Sequence, residues 1–339
     1  MKDLKNYTFF ELLTFLKNKG YPSYSAQQIF GWIYKQGVWD FDSMTDLSKE
    51  TRRFLKDNFL LSEPKLIKRD KSSDKTEKFL FELDDKDTIE TVLIPEARRN
   101  TLCLSSQVGC KFKCGFCSSG KSGFKRDLIP SEIINQYLVV SGLILPSKIT
   151  NIVFMGIGEP MDNFTNTLKA VEILTEAGGI NFGQRRITLS TCGLIPEIKK
   201  LIGLNLNLQL SVSLHSADSG VRSQLMPINK KYPLEELIKS LKEFSQAAKS
   251  PVTLEYILIK GLNTKKADAQ KLDKLLNSFK PKVNLIPYNG FQGKFKTPSS
   301  EEIDNFRQEL NQRGVFSTLR KSRGSDIKAA CGQLRANER

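Results

Sequence analysis

The sequence predicts an α/β protein, a partial (β/α) barrel preceded by a small helical N-terminal domain. Three observations carry that prediction. From about residue 101 onward, β-rich apolar runs alternate with segments of helical period. Residues 1 to about 62 show helical spacing alone. Short motifs with chemical content fall where five of the predicted strands end, which is where such sheets carry their chemistry.

Taken in order, apolar residues recur at helical spacing in FFELLTFLKNKG, SAQQIFGWIYKQG and LSKETRRFLKDNF. Ser25 and Ser48 read as N-caps, Gly20 and Gly37 as stops. KFLFELDDKDTIETVLIPE alternates like a hairpin that turns near Asp84, Asp85, Lys86 and Asp87. Six strands follow: TLCLSS, NIVFMGIGEP, RRITLSTCG, LNLQLSVSLHS, VTLEYILIKGLN and KVNLIPYNGF. Between them lie helical patterns such as PSEIINQYLVVSGLI, TLKAVEILTEAGG, PLEELIKSLKEFSQAAK and KKADAQKLDKLLNSF. The expected domains are residues 1–85, helices plus hairpin, and 86–339, a barrel with a C-terminal tail. The first is either a nucleic-acid-binding unit or a bracing cap. GFQGKFKTPSS reads as a loop offering Lys294 and Lys296 to phosphates.

Composition narrows the partners. Lys+Arg of 52 against Asp+Glu of 37 gives a net charge of +15 over 339 residues. That surplus points to a polyanion, nucleic acid before membrane, with an inert basic surface as the alternative. The N-terminus has no unbroken apolar h-region, and no stretch approaches the roughly 18 apolar residues of a membrane span. Six cysteines, three of them clustered, fit a reducing cytoplasm better than a disulfide framework. A cytoplasmic protein with no membrane partner is expected.

Cys110, Cys114 and Cys117 form the run Cys-x3-Cys-x2-Cys. Three thiolates so spaced can hold three irons of one [4Fe–4S] cluster, and the missing fourth ligand leaves one iron open to a chelating substrate. S-adenosylmethionine (SAM), with its amino and carboxylate groups, is the ligand that this spacing suggests. Zinc, which wants four ligands, and redox thiols are the alternatives. Phe116 puts an aromatic face beside the cluster. In GIGEP, Gly158 lets backbone approach a ligand and Glu159 can accept from an ammonium group, although a plain turn would also use these residues. Ser190 in LSTCG, and Ser213, Leu214 and His215 in SVSLHS, can bind the carboxylate or ribose of SAM; a turn hydroxyl and a structural histidine are the competing readings. Asn289 in PYNG can bond an adenine edge or simply serve a turn. Phe154 and Met155 read as core. Cys192 reads as a buried or turn residue, and Cys331 stands in a charged tail poorly suited to a packing cysteine.

These residues resemble the RlmN/Cfr family of radical-SAM RNA methyltransferases, its RlmN branch more closely. The matching stretches are ETVLIPE, TLCLSSQVGCKFKCGFCSSG, FMGIGEPMDN, ITLSTCGLIP, SLHSAD, RSQLMPIN, NLIPYN and SRGSDIKAACGQL, spanning residues 90 to 334. The resemblance implies methylation of carbon-2 of an adenine in 23S rRNA and, in some members, of the adenosine 3′ of the tRNA anticodon. Two SAM molecules are used per turnover. One would methylate Cys331 to S-methylcysteine; the other would be cleaved to a radical that activates that methyl for addition to the base. Glu90 matches the family's proton acceptor. Cys103 would release the product by forming a transient disulfide with Cys331. An electron donor and a disulfide reductant are implied as partners, and a monomer is expected. A Cfr-type carbon-8 enzyme, or an iron–sulfur RNA-binding protein without catalysis, are the competing functions.

Overall fold

The computed structural model describes residues 1–248, 252–277, 279–290 and 295–336. Lys294 lies outside them; Lys296 is described and exposed. Three helices open the chain: α1 (Phe9–Asn18), α2 (Ser23–Tyr34) and α3 (Lys49–Asn58). Thr8 and Glu11 form a reciprocal capping box at α1. Ser48 caps α3 by accepting from the Thr51 N–H at 3.0 Å. Ser25 does not cap α2. That helix starts after Pro22, whose φ of −61° suits a helix entry, and Ser25 is buried inside the first turn. Gly20 and Gly37 end their helices at φ of +84° and +69°.

A ten-stranded sheet follows, and its spatial order is its sequence order. β1 (Lys65–Lys71), β2 (Glu77–Glu82), β3 (Thr88–Glu96) and β4 (Arg99–Cys103) pair antiparallel. From β4 the sheet continues parallel through β5 (Asn151–Phe154), β6 (Ile187–Thr191), β7 (Gln209–Ser213), β8 (Thr253–Leu258), β9 (Lys282–Pro287) and β10 (Ser317–Leu319). The edges are β1 and β10, so the barrel is partial. Crossovers carry α4 (Pro130–Leu143), α5 (Phe164–Thr175), α6 (Ile195–Gly203), α7 (Leu234–Ala248), α8 (Lys266–Leu276) and α9 (Ser300–Gln312). Among the described residues no helix is long and apolar enough to cross a membrane.

Sequence reading places the six central strands and the hairpin but misses β1, β10, α6 and α9. β1 lacks apolar alternation because it is a charged edge, with Lys65, Lys68, Arg69 and Lys71 exposed. β10 has only three residues, none of them buried. Phe79 and Phe81 stack in the core at 6.3 Å and join the hairpin to the barrel interior.

Gln136 of α4 ties the first crossover to the sheet. Its Oε1 accepts from Thr91 Oγ1 at 2.7 Å and the Ser105 N–H at 2.9 Å, while Nε2 donates to the Ser105 carbonyl at 2.9 Å. Gln136→Leu strands those buried groups and should cost about 2–5 kcal/mol, measured by denaturant unfolding. A change below about 0.5 kcal/mol would show that these bonds are not needed.

Candidate active site at the strand ends

Loops leaving the parallel strands meet over one cavity. Cys110, Cys114 and Cys117 line it, together with Gly158, Glu159, Ser190, Ser213 and His215. Arg320, Glu255 and Cys331 complete the wall. Phe154, read from sequence as core, is both: 1% exposed and on the wall, beside Met155.

The cysteine loop leaves a small antiparallel pair, Gln107–Gly109 with Phe124–Asp127. Gly109 has φ +80°, and a Cβ there would lie 1.8 Å from the Gly123 carbonyl oxygen. Only glycine can lead into Cys110 along this path. The Gly115 N–H donates to the Leu225 carbonyl at 2.9 Å, anchoring the loop to the neighbouring crossover. Burial pushes the Cys110 thiol up to about 12 and holds that of Cys114 well above its usual range.

Glu159 is buried and already engaged. Oε2 accepts from the Cys192 N–H at 2.7 Å and Oε1 from the Met161 N–H at 3.1 Å, while its own N–H donates to Gln107 Oε1 at 2.8 Å. Burial raises its carboxyl to about 7. Glu159 thus clasps the second and third loops as well as facing the cavity. Gly158 has φ +100°, and a Cβ there would come within 2.5 Å of Gln107. Cys192 is the buried turn residue expected.

His215 sits at φ +59° and is held there by Asn263, whose Nδ2 donates to the His215 carbonyl at 2.7 Å. Its Nδ1 accepts from the Ile257 N–H at 3.1 Å, so the proton of the neutral ring is on Nε2. Phe116 packs edge-on against the ring at 4.6 Å. Burial, with the Arg222 charge adding to it, lowers the imidazole to about 3. Leu214 does not join the wall. The chain leaves β7 after Ser213, and the turn there, in which the Leu214 and His215 N–H groups both donate to the Glu255 carbonyl, leaves His215 on the cavity and Leu214 in the core, where it is fully buried. Asn289 is half-buried past the end of β9 and does not line the cavity either.

The two remaining cysteines differ sharply. Cys103, at the end of β4, is buried, and burial, with Cys331 close by, pushes its thiol up to about 12. Cys331 is exposed at the cavity. The tail around it is pinned by three contacts. Asp326 accepts from Ser72 Oγ at 2.6 Å, the Gly332 carbonyl accepts from the Ser118 N–H at 2.7 Å, and the Arg335 N–H donates to Glu90 Oε2 at 2.8 Å. Glu90 lies on β3. It is 1% exposed, ion-paired to Lys78 at 2.7 Å, and sits under the tail.

Four functional positions escape the sequence reading: Gln107, Arg222, Glu255 and Arg320. Arg222 is fully buried and donates to the Cys192 and Ser213 carbonyls at 2.9 and 3.2 Å and to Asn229 Oδ1 at 2.7 Å, bracing three loops. For Glu255 a signal existed, a lone acid inside the apolar run VTLEYIL.

The Radical SAM superfamily profile matches residues 104–272, and the ribosomal RNA large subunit methyltransferase N-terminal domain matches residues 2–61. The chain is 43% identical to a dual-specificity RNA methyltransferase RlmN of Geobacter sulfurreducens, covering 99% of this chain and 92% of that one. It is 42% identical to the RlmN of Desulfotalea psychrophila, over 99% and 95%. The chain belongs to the RlmN family. A crystal structure of a radical SAM methyltransferase from Sphaerobacter thermophilus superposes with a TM-score of 0.94 at 41% identity, covering 99% of both chains.

Radical SAM membership implies a [4Fe–4S] cluster and SAM, and the residues present fit both. Three soft thiol ligands line one cavity. Among the described residues no three His, Cys, Asp or Glu side chains converge as a single-ion site. His215 Nε2 and the serine hydroxyls remain as donors for a ligand's oxygens.

The histidine environment is directly testable, because the chain has only one histidine. Folding lowers this base from 6.5 to about 3, so the unfolded chain binds the extra proton between those values. Its contribution to stability is complete above 6.5 and is lost as pH falls towards 3. Imidazole NMR shifts of the folded protein should stay in the neutral position from about pH 8 to 5. A midpoint near the unperturbed value of about 6.5 would place the ring in solvent.

Proposed function

We propose that this protein is a radical-SAM RNA methyltransferase that methylates carbon-2 of an adenine in 23S rRNA, with tRNA as a further substrate. The observation that supports it best is one cavity shared by the three-cysteine loop and Cys331, with Cys103 buried close behind. Adenine carbon-2 is not nucleophilic, so transfer from a sulfonium methyl needs radical activation, which the bound cluster and SAM would supply.

The roles of this chain's residues follow from their surroundings. Cys110, Cys114 and Cys117 ligate the cluster; Gly158, Glu159, Ser190, Ser213 and His215 shape the SAM pocket. Cys331, exposed at the cavity, carries the carbon as S-methylcysteine. After the carbon joins the base, the Cys103 thiolate attacks the Cys331 sulfur. The sulfur–carbon bond breaks, the product carbon takes its electron pair together with the proton given up by Cys103, and a disulfide remains for an external reductant to reset. Glu90 takes up the proton lost from carbon-2 once the tail moves off it. Two SAM molecules are consumed; an external redox partner supplies the electron for cleavage and takes back the one released when the adduct loses its carbon-2 proton. Residues 1–85 dock RNA phosphates and 86–339 perform the chemistry, in a monomer; the exposed lysines of β1 suit such a polyanion.

Nucleoside analysis of rRNA and tRNA from a deletion strain tests the assignment: 2-methyladenosine should vanish. Its persistence, or loss of an 8-methyl product instead, would overturn the reading. Reconstituted protein should hold about four iron per chain, and Ala at Cys110, Cys114 and Cys117 should remove the brown colour and SAM cleavage together. Stoichiometric zinc would refute that assignment.

The two tail-linked thiols should fail differently. Cys331→Ala should mount no methyl and form no RNA adduct. Cys103→Ala should mount and add the carbon yet trap a covalent protein–RNA species, seen as a nuclease-sensitive shift on a denaturing gel. Normal turnover by Cys331→Ala would exclude the methylcysteine route.

A further inference from the structure

A polar row crosses the interior face of the sheet at the cavity. Ser213 pairs in register with Glu255, Glu255 with Asn284, and Asn284 with Thr318, across β7 to β10. Glu255 is its centre and is only 4% exposed. Ser211 Oγ at 2.6 Å and Asn284 Nδ2 at 3.2 Å both donate to one oxygen, Oε1. Oε2 is buried with no hydrogen-bond partner. A buried carboxylate oxygen left bare is costly, and native proteins rarely keep one without a use. Here the residue lines the cavity with Ile257 and Ile286, two apolar side chains suited to the face of a planar ring.

We propose that Glu255 reads the target base, accepting a hydrogen bond from the exocyclic amine of the RNA adenine at Oε2. This rests on the methyltransferase reading above and adds the specificity residue to it. Three features of the wall match one edge of adenine. The amine, ring nitrogen 1 and carbon-2 follow one another along that edge. Glu255 offers an acceptor, Arg320 offers donors, and Cys331 offers the carbon; all three line the same cavity. Among the described residues the Arg320 side chain makes one hydrogen bond, Nη1 to Met155 Sδ at 3.7 Å, which leaves guanidinium donors for a ring nitrogen. Cys331, Glu255 and Cys103 are its electrostatic neighbours, which sets it among these groups.

The isosteric variant Glu255→Gln makes the test sharp. Ser211 and Asn284 both donate to the engaged oxygen, so the amide carbonyl must take that place and its NH2 must face the cavity. An acceptor becomes a donor. Methylation by the reconstituted holoenzyme is measured on an RNA fragment carrying adenosine, or purine riboside without the amine, at the target position. Wild type should favour adenosine by roughly tenfold to a hundredfold in kcat/KM, as one bond to a charged acceptor allows. Glu255→Gln should bring that ratio to about one or below. The cluster absorbance and thermal midpoint report whether the variant is folded, and Glu255→Ala, which should also erase the preference, serves if it is not. An unchanged ratio in either folded variant overturns the proposal, as does a wild type indifferent to the amine. A wild type inactive on both RNAs overturns the parent reading, and this one with it.

Discussion

Backbone drawn into a protein interior must find hydrogen-bond partners, and the whole rim of this cavity depends on how it does so. Strands satisfy their own amides; loops at their ends do not. Here buried side chains take over. Glu159 serves the amides of Met161 and Cys192, Gln107 that of Glu159, and Ser105 Oγ both accepts from the Ile157 N–H and donates to the Glu90 carbonyl. Asn263 does the same for His215, Ile257 and Ile259. Gln107 and Ser105 tie the loop after β4 to the loop after β5, and Glu159 ties that loop to the one after β6, so this part of the cavity wall is connected. The cost is that several polar residues with functional reputations are partly or wholly spent on architecture.

Within that frame, burial alone sorts six cysteines into separate chemistries. Cys192 is buried on the cavity wall, and burial holds its thiol well above the usual range. Cys103 is equally buried but has Cys331 and the Arg320 guanidinium as neighbours, the first raising its thiol and the second lowering it. A thiol so placed stays protonated at rest and is shielded from outside oxidants, while remaining within reach of one partner. Cys331 is exposed at the mouth, on a tail fastened on either side by Asp326 and Arg335. Fastening the tail to Glu90 and to the short helix after Cys117 links Cys331 to the three-cysteine loop itself.

Much of this was legible in the chain before it was folded. The six central strands, the hairpin, the N-terminal helices and the cysteine run all declare themselves through local periodicity and spacing. Such patterns survive in sequence because they depend on neighbours within one turn or one strand. Even the failures were local in kind. The α2 cap was misplaced because two serines and a proline compete within four residues, and the geometry of proline wins.

Other features depend on register and could be decided only by the tertiary structure. Leu214 and His215 are adjacent in sequence, yet the turn that leaves β7, its two N–H groups donating to the Glu255 carbonyl, sends one to the core and the other to the cavity. Glu90 meets Arg335 across 245 positions, and Ser211 meets Glu255 across 44. Sequence alone determined which chemical groups this protein owns and which strand end each one leaves. Which of those groups stay free to meet a ligand, and which are consumed in holding the loops, was settled by long-range contacts, because hydrogen bonds of buried groups are made in space and leave no period in the chain.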